Sequence, residues 1–148
     1  MIQDDLKLKG QLEIVVTAQD GTVKQRERVK NLVVTSGKGY VASRMKDAAT
    51  SVMAHMASGT DSTAAAAGNT ALGSESARVS LTSTTVNNND VVYVATFPAG
   101  TPSSAAVITE SAIFNASSSG TMLCRTVFGS ISKGTSDALT ITWTVTAS

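Results

Sequence analysis

The sequence is poor in the residues that chemistry and covalent stapling need. Its 148 residues hold one cysteine, Cys124, and one histidine, His55. A single cysteine excludes an internal disulfide. Cys124 lies in the run Thr121-Met122-Leu123-Cys124 and reads as a small buried hydrophobe. A structural zinc site takes about four thiolate or imidazole ligands, more than one Cys and one His supply. No Gly-x-Ser-x-Gly elbow occurs, and His55 sits between Met53 and Met56, so it reads as a packed or surface histidine rather than a general base. Asp61 could face a hard cation, but no further acids at alternating positions make a calcium loop around it. The expectation is a protein without catalytic residues, cofactor or metal.

Charge is also scarce. Charged residues make up 16% of the chain, and twelve basic against eleven acidic residues leave a net charge of +1. So even a balance gives no long-range attraction to nucleic acid or to an anionic membrane. No apolar run approaches the ~20 residues that cross a bilayer as a helix. Met1–Lys7 carries Asp4 and Asp5 where an export signal carries bases. The chain is therefore expected to be made in a cytoplasm and to stay there until something recruits it. Aromatic residues are only 4%, which argues against a sugar site lined with exposed rings.

What fills the chain instead is Ser, Thr, Ala and Gly among β-branched apolar residues. Thr suits a half-buried strand, and Ser and Thr disfavour helix interiors. Residues 1–10 read as a polar arm and 11–148 as one domain. Leu12, Ile14, Val16 and Ala18 recur with the period of a strand. Asp20-Gly21 marks a hairpin turn, and the return strand runs from Thr22 to Asn31 and on through Leu32-Val33-Val34. Ser36 is placed to cap a short helix carrying Tyr40, Val41, Arg44, Met45 and Ala48, with Gly37 and Gly39 loosening its first turn. Gly37-Lys38-Gly39 lacks the glycine spacing of a phosphate loop and reads as a flexible helix entry. Val52, Met53 and Met56 suggest a strand.

Residues 58–76 form a long loop by composition, the kind of segment that is functional or mobile in a compact domain. Strands follow at Val79 and Leu81, at Val91–Phe97, around Ala106–Phe114, at Leu123–Ile131, and at Leu139–Thr146. They are parted by Asn87-Asn88-Asn89-Asp90, Pro98–Pro102, Ser117–Gly120 and Gly134-Thr135-Ser136, with Gly129 as a bulge. In the last strand Leu139, Ile141, Trp143 and Val145 face the core, and Thr140, Thr142, Thr144 and Thr146 face away. The expected fold is all-β: a single β-sandwich or jelly-roll-like domain with one short helix.

Two features concern charge. Lys24, Arg26, Arg28 and Lys30 alternate along the return strand, so they share one face. They could grip an acidic protein surface, or stand as a solvated row paired with acids such as Glu13 on the neighbouring strand. No aromatic residue interleaves them for base stacking. Glu110 and Glu75 lie beside apolar stretches and need partners, for which Arg78 and Arg125 are candidates. Asn115-Ala116-Ser117 matches a glycosylation sequon that means little without export.

Several stretches, in order, carry a resemblance. They are Gly10-Gln11-Leu12-Glu13-Ile14, Asp20-Gly21, and Val29–Val34 followed by Ser36-Gly37-Lys38. Next come Ala57-Ser58-Gly59-Thr60 with the alanine loop, Gly68–Leu72 and Glu75. Ile108–Phe114, Leu123–Phe128 and Asp137–Trp143 complete the set. Together they span nearly the whole chain and resemble a pattern of tailed-bacteriophage virion proteins, shared by capsid cement (decoration) proteins and by tail-fibre or baseplate proteins. The resemblance implies a jelly-roll-like cement protein on the capsid surface, made in the bacterial host cytoplasm and bound across seams of the major capsid protein. The alternative it implies is a tail-fibre or baseplate attachment protein. No catalytic residues come with it. A homo-oligomer, dimer or trimer, would suit a symmetric shell. The expected interface residues are Asp4, Asp5 and Lys7 of the arm, the row Lys24, Arg26, Arg28 and Lys30, and Asp61 in the long loop.

Overall fold

The computed structural model describes residues 6–46 and 51–148. It is an all-β domain with one helix. The elements are β1 (Leu8–Thr17), β2 (Val23–Val33), α1 (Thr35–Met45), β3 (His55–Gly59) and β4 (Glu75–Ser80). They continue with β5 (Ser83–Asn87), β6 (Asp90–Phe97), β7 (Ala106–Phe114), β8 (Met122–Lys133) and β9 (Ala138–Ala147). The strands form one curled sheet in the order β4-β3-β7-β8-β2-β1-β9-β6-β5, with every pair antiparallel.

Chain-adjacent strands make four hairpins, β1–β2, β3–β4, β5–β6 and β7–β8. The last strand, β9, is inserted between β1 and β6. The hinge of the curl is the short β2–β8 pairing, limited to Leu32–Arg125 and Val33–Cys124. Below it β2 and β8 diverge, and side chains bridge the gap. Thr126 donates to the Lys30 carbonyl (2.9 Å) and Gln25 to the Ser130 carbonyl (3.2 Å).

The two arms of the curl face each other across the core. Leu12, Ile14 and Val16 of β1, Leu139, Ile141 and Trp143 of β9, and Ala95 and Phe97 of β6 meet Met56, Ile108, Ile113, Leu123, Cys124 and Ile131 of the other arm. Period-2 alternation puts the threonines of β9 on the outer side. The hairpin at Asp20-Gly21 forms as its sequence requires: Gly21 has φ +89°, and the Asp20 carboxylate accepts from the Thr22 N–H (2.9 Å).

Four local expectations change. Residues 8–10 of the polar arm belong to β1 and pair with β9 at Leu8–Ala147, Lys9–Thr146 and Gly10–Val145. Val52 and Met53 precede β3 rather than lying in it. Ser36 does not cap α1, because its hydroxyl donates to the Met122 carbonyl (3.0 Å). The helix entry is held instead by the Thr35 N–H on the Ala67 carbonyl (2.8 Å). Gly37 is not a flexible entry: it is buried, and a Cβ there would lie 1.9 Å from the Leu123 carbonyl oxygen. Ala48 lies outside the described residues.

The segment between β3 and β4 does not hang free either. It lies over β7 and β8 as an extra layer. Leu72 joins Val34, Ala57, Ala112, Phe114 and Met122 in a second small apolar cluster. As a result β7 is buried along most of its length.

Candidate functional site

Two polar assemblies stand out, one internal and one external. The internal one centres on Glu110 of β7 and Arg125 of β8, which are 0% and 2% exposed. The Arg125 guanidinium donates twice to Glu110 Oε2, through Nη2 (2.8 Å) and Nε (3.1 Å). It also reaches Asn69 Oδ1 (3.0 Å), the Thr63 carbonyl (3.1 Å) and Asp61 Oδ2 (3.4 Å). Glu110 accepts backbone N–H groups from Ser74 (2.8 Å), Gly73 (3.1 Å) and Asp61 (3.3 Å). Every polar contact on this pair therefore points into the 60–74 segment and ties it down. A buried charge pair is tolerated when its remaining bonding capacity is filled, as it is here.

Asp61, expected at a partner interface, turns inward to this network. Its Oδ1 accepts from the Thr63 N–H (3.2 Å) and hydroxyl (3.0 Å). These bonds, with the nearby Arg125 charge, hold its carboxyl below the usual carboxylate range. The network is a structural fastening, with its Glu110–Arg125 centre buried beneath the segment it secures. Glu75 and Arg78 form a second, bidentate pair (3.0 and 2.7 Å), with the Arg78 guanidinium 3.8 Å above the Phe114 ring.

The external assembly is the outer face of β2, β1 and β9. Arg26, Arg28 and Lys30 project from this face of β2 and are exposed; Lys24, also exposed, sits at the register irregularity between Gln25 and Val23, where the alternation is broken. Register puts Glu13 of β1 directly opposite Arg28. Glu13 binds both Arg28 (3.1 Å) and Arg26 (3.2 Å). Lys24 binds Asp137 in the β8–β9 turn (2.9 Å). That bond and the Gly134 N–H keep the Asp137 carboxyl below its ordinary range. Lys30 has no acidic partner among the described residues, and neither has Lys9 on the same face. The surface pairs of Glu13 with Arg26 and Arg28 add little stability, about 0–1 kcal/mol each, so Arg26, Arg28 and Lys30 are not explained as a fold-holding device, whereas Lys24 pairs with the buried Asp137 carboxylate.

Beside the basic row the sheet dips. A shallow depression of about 790 Å³ runs over β1 and β9, bordered by Lys9, Arg28 and Lys30 and floored by Gln11, Thr142 and Thr144. Cross-strand register sets Gln11 opposite Thr144 and Glu13 opposite Thr142. The surface is wide, hydroxyl-rich and positively rimmed. It presents hydrogen-bonding groups to a flat or gently convex polar partner and encloses no small molecule. Lys9 and Gln11 were not singled out in the sequence, although their parity with Glu13 placed them on this face. Lys7 is exposed, with its backbone paired to Ser148 (2.6 and 2.8 Å). Asp4 and Asp5 lie outside the described residues.

The remaining candidates are placed as follows. His55 opens β3 half-buried, between Phe114 and Ser80 in register. Cys124 is fully buried in the core, and desolvation pushes its thiol above the normal range. A thiol reagent such as a disulfide chromophore is expected to leave Cys124 unmodified in the native protein and to modify it fully in denaturant. Rapid native modification would contradict that burial. Among the described residues no three His, Cys, Asp or Glu side chains gather to hold a metal ion. No helix is long and apolar enough to cross a membrane among the described residues. Compared with family models, curated proteins and solved structures, the chain finds no match.

Proposed function

We propose that this chain is a structural binding domain of a tailed-phage virion, a cement protein that docks on the capsid through the outer face of β2, β1 and β9. The observation that carries the reading is the exposed basic row beside a threonine-floored depression. Arg26, Arg28 and Lys30 cost the fold little to lose, yet they concentrate positive charge on a chain whose net charge is only +1. A face built this way selects an acidic protein surface and speeds encounter with it. The ordered sequence resemblance to virion proteins supplies the partner, the major capsid protein. Binding only to the assembled shell stabilises it by linkage, and many copies on a lattice multiply a modest contact.

Lys9 and Lys30 are the informative positions, because neither holds an internal ion pair that substitution would break. A Lys9→Glu/Lys30→Glu double variant is expected to keep its melting temperature and to bind decoration-free shells about tenfold more weakly. The wild-type affinity is expected to fall as salt rises, since exposed charges are screened. Unchanged co-sedimentation of the variant with shells would remove this face from the docking surface.

A further inference from the structure

The two edges of the curled sheet differ. One edge, β4, carries the Glu75–Arg78 pair, and Arg78 reaches across to the Ala116 and Ser119 carbonyls (3.0 and 2.8 Å). The other edge, β5, has none of the usual guards. Its residues Ser83-Thr84-Thr85-Val86-Asn87 include no charge and no proline, and its register with β6 is regular. All five are exposed, and Val86 is 71% exposed. Among the described residues its only neighbour in the sheet is β6, which leaves its outer N–H and C=O groups unpaired within the sheet. Natural edge strands are ordinarily blunted by lysine, proline or a bulge, because an open edge recruits another strand.

We infer that β5 is a self-association edge, at which a second copy of this chain pairs its own β5 antiparallel across a twofold axis. The sequence of the edge fits itself. Centred on Thr85, the alignment sets Thr85 against Thr85, Thr84 against Val86 and Ser83 against Asn87. These are β-branched or hydrogen-bonding pairs with no like charges opposed, the combination that stabilises cross-strand contacts. Thr84 and Val86 share the face of β5 that continues from Tyr93 and Val91, so the pairing also covers the exposed Val86 side chain. A charged foreign strand would find no complementary charge on this edge, and an isologous contact needs none. A five-residue edge buries little area, so the dimer is weak in free solution and gains when copies are held close together on a lattice. Strand β6 separates this edge from the β2–β1–β9 face, so the two proposals fail independently.

The test uses the purified chain without shells. Sedimentation velocity at rising concentration is expected to show a monomer–dimer equilibrium in the high micromolar range. Thr85→Lys and Thr85→Glu each place like charges face to face at the axis, and each alone is expected to weaken dimerisation about tenfold. Both changes are on an exposed strand, and circular dichroism verifies that the fold persists. An equimolar mixture of the two variants is expected to dimerise again, because opposite charges then meet. A wild-type chain that stays monomeric overturns the inference. So does a Thr85→Lys variant that dimerises as well as wild type, or a mixture that stays monomeric.

Discussion

Replacing Arg125 with alanine is expected to destabilise the domain by about 3–5 kcal/mol, the cost of stranding a buried partner charge. The reason lies in what remains. Glu110 would keep its three backbone donors from Asp61, Gly73 and Ser74 but lose both guanidinium bonds while still 0% exposed. Asn69 Oδ1 and the Thr63 carbonyl would lose a donor at the same time. The damage should centre on the 60–74 segment, whose ties converge on this one side chain. Urea unfolding gives the global loss, and limited proteolysis gives its location: first cleavage within 60–74 in the variant, at a protease dose that leaves wild type intact. A double Glu110→Leu/Arg125→Met variant, which removes both charges, should recover much of the loss. Equal stability of Arg125→Ala and wild type would show that the pair does not fasten the layer.

The second large effect concerns two glycines two residues apart in α1. Gly37→Ala introduces a Cβ 1.9 Å from the Leu123 carbonyl oxygen, a backbone atom of β8 that cannot swing aside. Either α1 lifts from β8 or the strand shifts, at a cost of about 1–3 kcal/mol or more. Gly39→Ala meets nothing within 4 Å. It should stabilise the helix by up to ~1 kcal/mol, since alanine loses less backbone freedom than glycine. Thermal melts of the two variants should therefore move in opposite directions. Parallel shifts would mean that the close approach of α1 to β8 is not as described.

The contrast between these glycines also shows where sequence reasoning succeeds and where it stops. Both read equally as weak helix positions, because propensity is local and the Leu123 carbonyl belongs to a strand far along the chain. Ser36 looked like a cap for the same reason, yet tertiary partners took both its hydroxyl and the helix's first N–H. Strands with strict period 2, such as β9 and β1 from Leu12 onward, were legible outright, since alternation follows from one buried face. β5 was not, because Ser83–Asn87 has no apolar alternation and shares its composition with a turn. The irregularity of the 60–74 segment was legible from composition. Its fixed position was not, although the need of Glu110 for an arginine was, and the pairing with Arg125 bears that out. On the basic face, alternation placed Arg26 and Arg28 beside Glu13, while the register break sets Lys24 against Asp137 instead. The neighbouring depression required the β1–β9 register, which brings together residues from the two ends of the sequence.

One measurement tests the proposed role as a shell component most directly. Under the proposed role, quantitative mass spectrometry of purified phage particles gives the copy number of the chain relative to the major capsid protein. A fixed, near-lattice stoichiometry with the capsid protein is the result the account predicts. Absence from the particles, or a copy number matching a tail rather than the shell, would contradict it.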